Sequence, residues 1–105
     1  MTTTCEIVCW RDIPAQVKAR AGRQRASRQL PDRFQQAIDA AAMRSGKRGT
    51  DEYLAEWTSR PAGERDAPPE EAAASLAAEV ESAYDAERLA RLARNGGLES
   101  PARKL

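Results

Sequence analysis

Residues 15–21 alternate strictly between small apolar and polar side chains, and this alternation constrains the fold more than any other feature of the sequence. A period of two places the apolar residues on one face of an extended strand and the polar residues on the other. The pattern is typical of a sheet with one buried and one solvated side. We therefore predict a strand over residues 15–22, with Ala15, Val17, Ala19 and Ala21 facing a core and Gln16, Lys18 and Arg20 facing solvent.

A first strand is predicted over residues 3–10, which are rich in β-branched and aromatic residues. The next four residues break it, because Pro14 lacks a backbone donor and disfavours helical geometry at Ile13. The two strands are therefore expected to form an antiparallel hairpin. Because an isolated hairpin is marginally stable in water, this one needs helices on its apolar face or further strands from a partner.

The clearest helix is predicted over residues 31–45. Pro31 suits the first turn of a helix, and Gly46 suits its end. A second, shorter helix is predicted over residues 50–59, with Thr50 as its cap. Apolar residues in the first helix recur with the spacing of one helix face, and they are Phe34, Ala37, Ile38 and Ala41.

The C-terminal half is predicted to be a linker followed by a helix. Residues 61–69 are rich in Pro, Gly and charge, which indicates a linker. Residues 70–96 are rich in Ala, Glu and Arg, which favours a helix. The apolar positions of this helix change sides near Asp85. Either the helix breaks there and Asp85 caps a new segment, or its two halves meet different neighbours.

These elements predict an α+β fold in which an N-terminal β-hairpin packs on two short helices. We expect a compact domain over residues 1–60, the linker over 61–69, a helical extension over 70–96 and a disordered tail over 97–105. A chain of 105 residues has room for one small core. Only two Trp, two Tyr and one Phe supply large aromatic side chains. Few large side chains are therefore available to fill the core.

The chain has two cysteines and no histidine, which makes most catalytic and metal chemistry unfavourable. We predict no metal, no cofactor and no independent enzymatic activity. Cys5 and Cys9 are about 13 Å apart along an extended strand, beyond the ~7 Å that a disulfide spans between Cα atoms. Two separate buried thiols are therefore expected, with a reactive or metal-binding thiol as the alternative.

Charge is divided unevenly along the chain. Residues 1–48 hold ten basic and four acidic residues, a net +6, whereas residues 49–105 hold seven basic and twelve acidic residues, a net −5. Such halves can bind an anionic partner, neutralise each other within the fold, or pair with a second copy of the chain. No apolar run approaches the length of a membrane span and no leader pattern is visible, so we expect a cytoplasmic protein without membrane contact.

The candidate binding residues lie in and around a polar, basic connector over residues 22–29. Arginines so closely spaced can hold phosphates or carboxylates through bidentate contacts. No aromatic residue lies among them, so the stacking half of a single-stranded nucleic-acid site is missing. The predicted partner-binding residues are Lys18, Arg20, Arg23, Arg25 and Arg28, together with Trp10 at the end of the first strand.

Three segments carry a family resemblance: residues 10–17 (WRDIPAQV), residues 30–35 with 37–39 (LPDRFQ and AID), and Tyr53 and Leu54 with Trp57. Together they resemble the small bacterial "virulence factor" family, whose domain is also found within the conserved virulence factor C proteins of Gram-positive bacteria. Those larger proteins add an iron–sulfur-scaffold-like segment and helical repeats, which this chain lacks. The resemblance carries no known catalytic residues. It implies a partner, because stand-alone members are expected to be encoded near methylenetetrahydrofolate reductase and corrinoid methyl-transfer proteins.

We therefore predict a non-catalytic accessory or subunit-like protein that binds a larger cytoplasmic enzyme, with folate and corrinoid one-carbon metabolism as the implied setting. The alternative is a small nucleic-acid-binding module with a basic face. That alternative is supported by the arginines but opposed by the acidic C-terminal half. An independent enzyme is the third and least favoured class.

Overall fold

The structure is a computed structural model that describes residues 2–47 and 49–99. It contains a four-stranded antiparallel sheet with helices on one face. The strands are β1 (Thr2–Trp10), β2 (Ile13–Ala21), β3 (Gln24–Gln29) and β4 (Trp57–Asp66). The helices are α1 (Asp32–Ser45), α2 (Thr50–Ala55), α3 (Pro69–Ala83) and α4 (Ala86–Arg94). This arrangement confirms the predicted α+β class.

The predicted hairpin is the centre of the sheet, whose strand order is β3-β2-β1-β4. β1 and β2 are antiparallel, with Ile7 opposite Val17 and Glu6 opposite Lys18. The alternation in β2 is confirmed: Val17 is fully buried, whereas Lys18 and Arg20 are exposed. The period-two pattern therefore predicted correctly which side chains of the central strand β2 face the core.

The predicted connector over residues 22–29 is wrong, because most of it is the edge strand β3. Gly22 and Arg23 form a two-residue turn, in which Gly22 adopts a φ of +61° that favours glycine. β3 then pairs with β2, with Ala26 opposite Ala19. Its residues are exposed except for the half-buried Ala26, so the strand lacks the apolar alternation that would have revealed it.

The predicted linker over residues 61–69 is also wrong for residues 61–66, which belong to strand β4. β4 pairs with β1 along its length, with Trp57 opposite Trp10. The predicted boundary at residue 60 lies inside this strand. Pro61 is accommodated because β4 is an edge strand, where a missing backbone donor faces away from the sheet.

The second predicted helix is shorter than expected. α2 ends at Ala55, and Trp57, which the predicted helix included, begins β4. Thr50 is the first helical residue, and the N-cap position is occupied by Gly49, so Thr50 is not the cap. Leu54 is 58% exposed, whereas Tyr53 and Trp57 pack at the edge of the core.

The helices α1 and α3 cover the apolar face of the sheet. α3 contacts β2 and β3, and α4 packs against α1. The break near Asp85 is confirmed, since α3 ends at Ala83 and the Asp85 carboxylate accepts a hydrogen bond of 2.8 Å from the Arg88 amide at the start of α4. The predicted apolar face of α1 is confirmed, with Phe34, Ala37, Ile38, Ala41 and Ala42 buried.

The turn between β1 and β2 holds the end of the described chain against the sheet. Arg11 adopts a φ of 54°, its amide donates to Glu56 O at 3.0 Å, and its guanidinium donates to Gly96 O at 2.9 Å. The Asp12 amide donates to Gly97 O at 2.8 Å. Gly97 approaches the Trp10 ring so closely that a Cβ there would lie 3.0 Å from it. Residues 97–99 are thus ordered, contrary to the prediction, while residues 100–105 lie outside the described residues.

Candidate functional site

Within the described residues, one face of the sheet carries no helix and displays the polar residues of the central strands. Cross-strand neighbours share a face, so Glu6, Lys18 and Ser27 form one row across β1, β2 and β3. The neighbouring row contains Thr4, Arg20 and Arg25. We call these two rows, with Ser59 and Pro61 of β4, the open face. Its side chains are exposed except for the half-buried Glu6.

The open face contains a basic cluster, formed by Lys18, Arg20 and Arg25. Arg20 lies directly opposite Arg25 on the adjacent strand, and Lys18 is two residues from Arg20 on the same face. Like charges in directly opposite positions destabilise a sheet. The cluster therefore costs stability in the free protein, and an anion placed between the side chains would relieve that cost.

The structure brings together three of the six predicted binding residues and separates the others. Arg28 lies opposite the buried Val17, which places it on the helix-covered face of the sheet. Arg23 lies in the turn between β2 and β3. Trp10 is 0% exposed, and its indole nitrogen donates to Tyr53 O at 2.9 Å. Trp10 is therefore a core residue in this structure and has no surface to offer a partner.

The charges of the cluster are not neutralised within the described part of the chain. Among residues 2–47 and 49–99, no salt bridge involves Lys18, Arg20 or Arg25. Elsewhere the pairing is close, as in Arg60–Asp12 and Arg65–Glu79, each with an N–O distance of 2.7 Å. Glu6, opposite Lys18, and Glu70 lie nearby, but neither forms a salt bridge with the cluster among the described residues, which leaves the cluster available to an external anion.

A cleft of about 760 Å³ lies over this face, with the basic cluster on one side. Ser59 and Pro61 of β4 line it as well. The Ser59 hydroxyl donates to the Glu6 carboxylate at 2.5 Å, which holds Glu6 toward β4. Glu70 also lines the cleft, so the cleft contains both acidic and basic side chains. A polyanion of uniform charge is less well matched to such a surface than a partner that carries both carboxylates and donors.

A second group of polar and titratable side chains surrounds Cys9. Its thiol is buried near Asp12, Arg60 and Tyr84, and burial raises the pKa of the Cys9 thiol, with Arg60 opposing this shift. Burial likewise raises the pKa of the Tyr84 phenol. A reactive cysteine needs a lowered pKa and solvent access. This environment provides neither, so it keeps the thiol protonated at neutral pH.

Both cysteines are buried and free, which confirms the prediction of two separate buried thiols. Cys5 is 1% exposed and belongs to the core cluster, and Cys9 is 3% exposed. In the part of the chain that the structure describes, no group of three or more acidic and cysteine side chains is placed to hold a metal ion.

The raised pKa of Cys9 predicts a specific alkaline destabilisation. The unfolded thiol ionises above its ordinary pKa of 9.0, whereas the folded thiol retains its proton to higher pH. Stabilisation from this group is therefore complete below that pH and is lost as the pH rises. In urea unfolding under reducing conditions from about pH 8 to about pH 10.5, Cys9→Ala should show a shallower fall in the free energy of unfolding than the wild type. Parallel slopes in the two proteins would contradict this assignment.

A family model described as "Virulence factor" matches residues 8–93. The chain belongs to the virulence factor family. The match begins in β1 and ends in α4, so the virulence factor family sequence extends well past the segments that carried the resemblance. No curated protein and no solved structure matches the chain. None of the helices within residues 2–47 and 49–99 is long and apolar enough to cross a membrane.

Sequence reasoning missed the pairing that organises the open face of this virulence factor domain. A two-residue loop that begins with glycine, here Gly22, is a hairpin signal. Read that way, it would have indicated β3 and placed Arg25 opposite Arg20. No comparable local pattern predicts that Ser59 and Pro61 lie on the open face, because β4 joins the sheet through long-range pairing with β1.

Proposed function

We propose that this protein is a non-catalytic accessory subunit that binds a larger cytoplasmic enzyme through the open face of its sheet. One observation carries the proposal: Arg20 and Arg25 face each other on an exposed, helix-free sheet surface, beside Lys18, without a neutralising salt bridge among the described residues. An exposed surface that is destabilising by itself is stabilised when a partner supplies carboxylates.

The environment of the thiols supports the non-catalytic part of the proposal. The Cys9 thiol is held protonated by burial, and the cleft beside the basic cluster contains no cysteine other than Cys5, which is 1% exposed. General acid–base chemistry near neutral pH needs a group poised to exchange protons there. The residues of the open face supply charge and hydrogen-bond donors, which suit recognition.

The partners implied by the family resemblance are methylenetetrahydrofolate reductase and corrinoid methyl-transfer proteins. We propose these as the first enzymes to test. The expected contact on the enzyme is an acidic surface, because bidentate guanidinium–carboxylate pairs are the strongest contacts that Arg20 and Arg25 offer.

A nucleic-acid-binding module is the second candidate, favoured by the same basic cluster. Two features of the open face weigh against it. The carboxylates of Glu6 and Glu70 line the same cleft and would repel phosphates. The residues lining that cleft include no aromatic side chain on which a base could stack.

The test is a pair of matched double variants that remove the same charge from different places. Arg20→Gln/Arg25→Gln neutralises the open face, whereas Arg91→Gln/Arg94→Gln neutralises two exposed arginines in the last turn of α4. We expect the first variant to weaken binding of the partner enzyme by about tenfold or more, a change of roughly 1.4 kcal/mol, and the second to leave binding unchanged. The melting temperature of the first variant should be unchanged or slightly higher, because a like-charge pair is removed.

Binding is measured with the purified candidate enzymes, and with enzymes identified by mass spectrometry after capture from native extract. Equal binding by both double variants would contradict the proposal. A parallel salt titration with duplex and single-stranded oligonucleotides separates the two candidate functions. Tight binding at about 50 mM salt that falls steeply as salt rises would favour nucleic acid instead.

A further inference from the structure

In the part of the chain that the structure describes, no strand pairs with the outer edge of β3, so this edge can accept another strand. Among residues 2–47 and 49–99, β3 pairs only with β2, and it lies at one end of the strand order. The Leu30 amide donates to Ala15 O at 3.1 Å, immediately after the last residue of β3. Because hydrogen-bonded pairs recur at every second residue of an antiparallel ladder, the alternate residues Arg25, Ser27 and Gln29 direct their amides and carbonyls away from β2.

The two edges of the sheet are not equivalent. β4 contains Pro61, the positive-φ Gly63 and a register irregularity in its pairing with β1. Prolines and bulges of this kind obstruct the addition of a further strand. β3 has neither a proline nor a register shift with its neighbour. Of the two edges of the sheet, the β3 edge is therefore the one that can accept a further strand.

The charges on β3 determine what kind of strand can be added. Arg25 projects from the open face and Arg28 from the opposite face, and both are exposed. A second copy of the chain in the same position would bring two sets of these arginines together, which is repulsive. An acidic segment would instead place carboxylates beside Arg25 on one face and beside Arg28 on the other.

We propose that β3 receives an extended, acidic segment of the partner protein as a fifth strand of the sheet. This inference rests on the proposed function, since it specifies how the protein partner binds. Backbone hydrogen bonds to Arg25, Ser27 and Gln29 supply affinity without sequence preference, and the arginine side chains select acidic sequences. Arg28, which lies outside the basic cluster, acquires a role in this arrangement.

The first test uses Ser27→Pro with Ser27→Ala as its control. Proline at position 27 removes an outward amide that the native sheet does not use, and it leaves the net charge unchanged. We expect Ser27→Pro to lose at least tenfold in affinity for the partner enzyme and Ser27→Ala to bind like the wild type. If Ser27→Pro binds normally while Arg20→Gln/Arg25→Gln does not, strand addition is wrong and the proposed function stands. If both bind normally, the proposed function itself is wrong.

A second test does not depend on how Ser27→Pro folds. The wild-type protein is titrated with a heptapeptide of alternating Glu and Val, and with a peptide of the same sequence whose backbone amides are N-methylated, which has the same charge but lacks the donors of a strand. Amide hydrogen exchange is followed at each residue of β3. The unmodified peptide should slow exchange at Arg25, Ser27 and Gln29, and the N-methylated peptide should not. Equal effects of the two peptides, or no protection from either, would overturn the inference.

Discussion

Replacing Trp10 with alanine is expected to lower the free energy of unfolding by about 3–5 kcal/mol. Trp10 is fully buried, and its indole nitrogen is satisfied by Tyr53 O. Its ring also stacks on that of Tyr53, with centroids 5.7 Å apart. Truncation therefore removes a large apolar surface, leaves a cavity and deprives the Tyr53 carbonyl of its donor. A loss of this size is a large fraction of the stability of a small domain.

The measurement is denaturant unfolding followed by circular dichroism, with Trp57→Ala as the control. Trp57 is only partly buried and meets Tyr53 at an edge, with ring centroids 6.0 Å apart. Its truncation should cost less than half as much as that of Trp10. A Trp10→Ala protein with a near-native midpoint would show that the indole is not a core group, and would restore it as a candidate contact residue.

Replacing Asp12 with alanine is expected to cost about 1.5–3 kcal/mol, the range for hydrogen bonds that involve a charged group. The carboxylate accepts from Arg60 at 2.7 Å and from the Glu99 amide at 2.7 Å. Both partners belong to segments far from Asp12 in sequence, so the substitution should loosen the contact between the first turn and the end of the described chain.

The readout specific to this role is local. Hydrogen exchange at the Glu99 amide and limited proteolysis after α4 should both accelerate in Asp12→Ala, in excess of the change in global stability. Asp12→Asn retains one acceptor oxygen and should lie between the alanine variant and the wild type. Unchanged exchange at Glu99 in Asp12→Ala would contradict the assignment.

The sequence predicted the elements in which buried and exposed side chains recur with a regular spacing. In α1 the buried face follows the spacing of Phe34 and Ile38, and in β2 it follows the alternation around Val17. β3 and β4 were missed because edge strands pack little apolar surface. Their backbones are ordered by hydrogen bonds to neighbouring strands, and those bonds leave no trace in the side-chain pattern.

The C-terminal helices show where local reasoning reached its limit. Of the two alternatives that the sequence leaves open near Asp85, both hold: the helix breaks there, and its two halves meet different neighbours. The change of sides along the sequence then has a simple origin: α3 packs on the sheet and buries Leu76 and Val80, whereas α4 packs on α1 and buries Leu89 and Leu92. Which neighbour each face meets depends on the whole fold, and no local pattern specifies it.

The candidate site was predicted as a set of residues but not as a surface. The basic residues were found by their closeness in sequence. In the sheet, successive residues of a strand face opposite sides. Arg20 and Arg25 therefore share a face, whereas Arg28 lies on the other. Trp10 is buried because Trp57 of β4 lies opposite it in the sheet, and the sequence predicts a helix, not a strand, at Trp57.

The order of strands in the sheet also dictates the order in which the sheet can be completed during folding. β1, β2 and β3 are consecutive and joined by tight turns, so their pairing requires only short loops to close. The pairing of β1 with β4 joins Thr2 to Asp66 and encloses α1 and α2 within one long loop. Contacts of such sequence separation form slowly. The edge of β1 therefore stays unpaired until late, and this interval is when the nascent chain is most exposed to association with other strands.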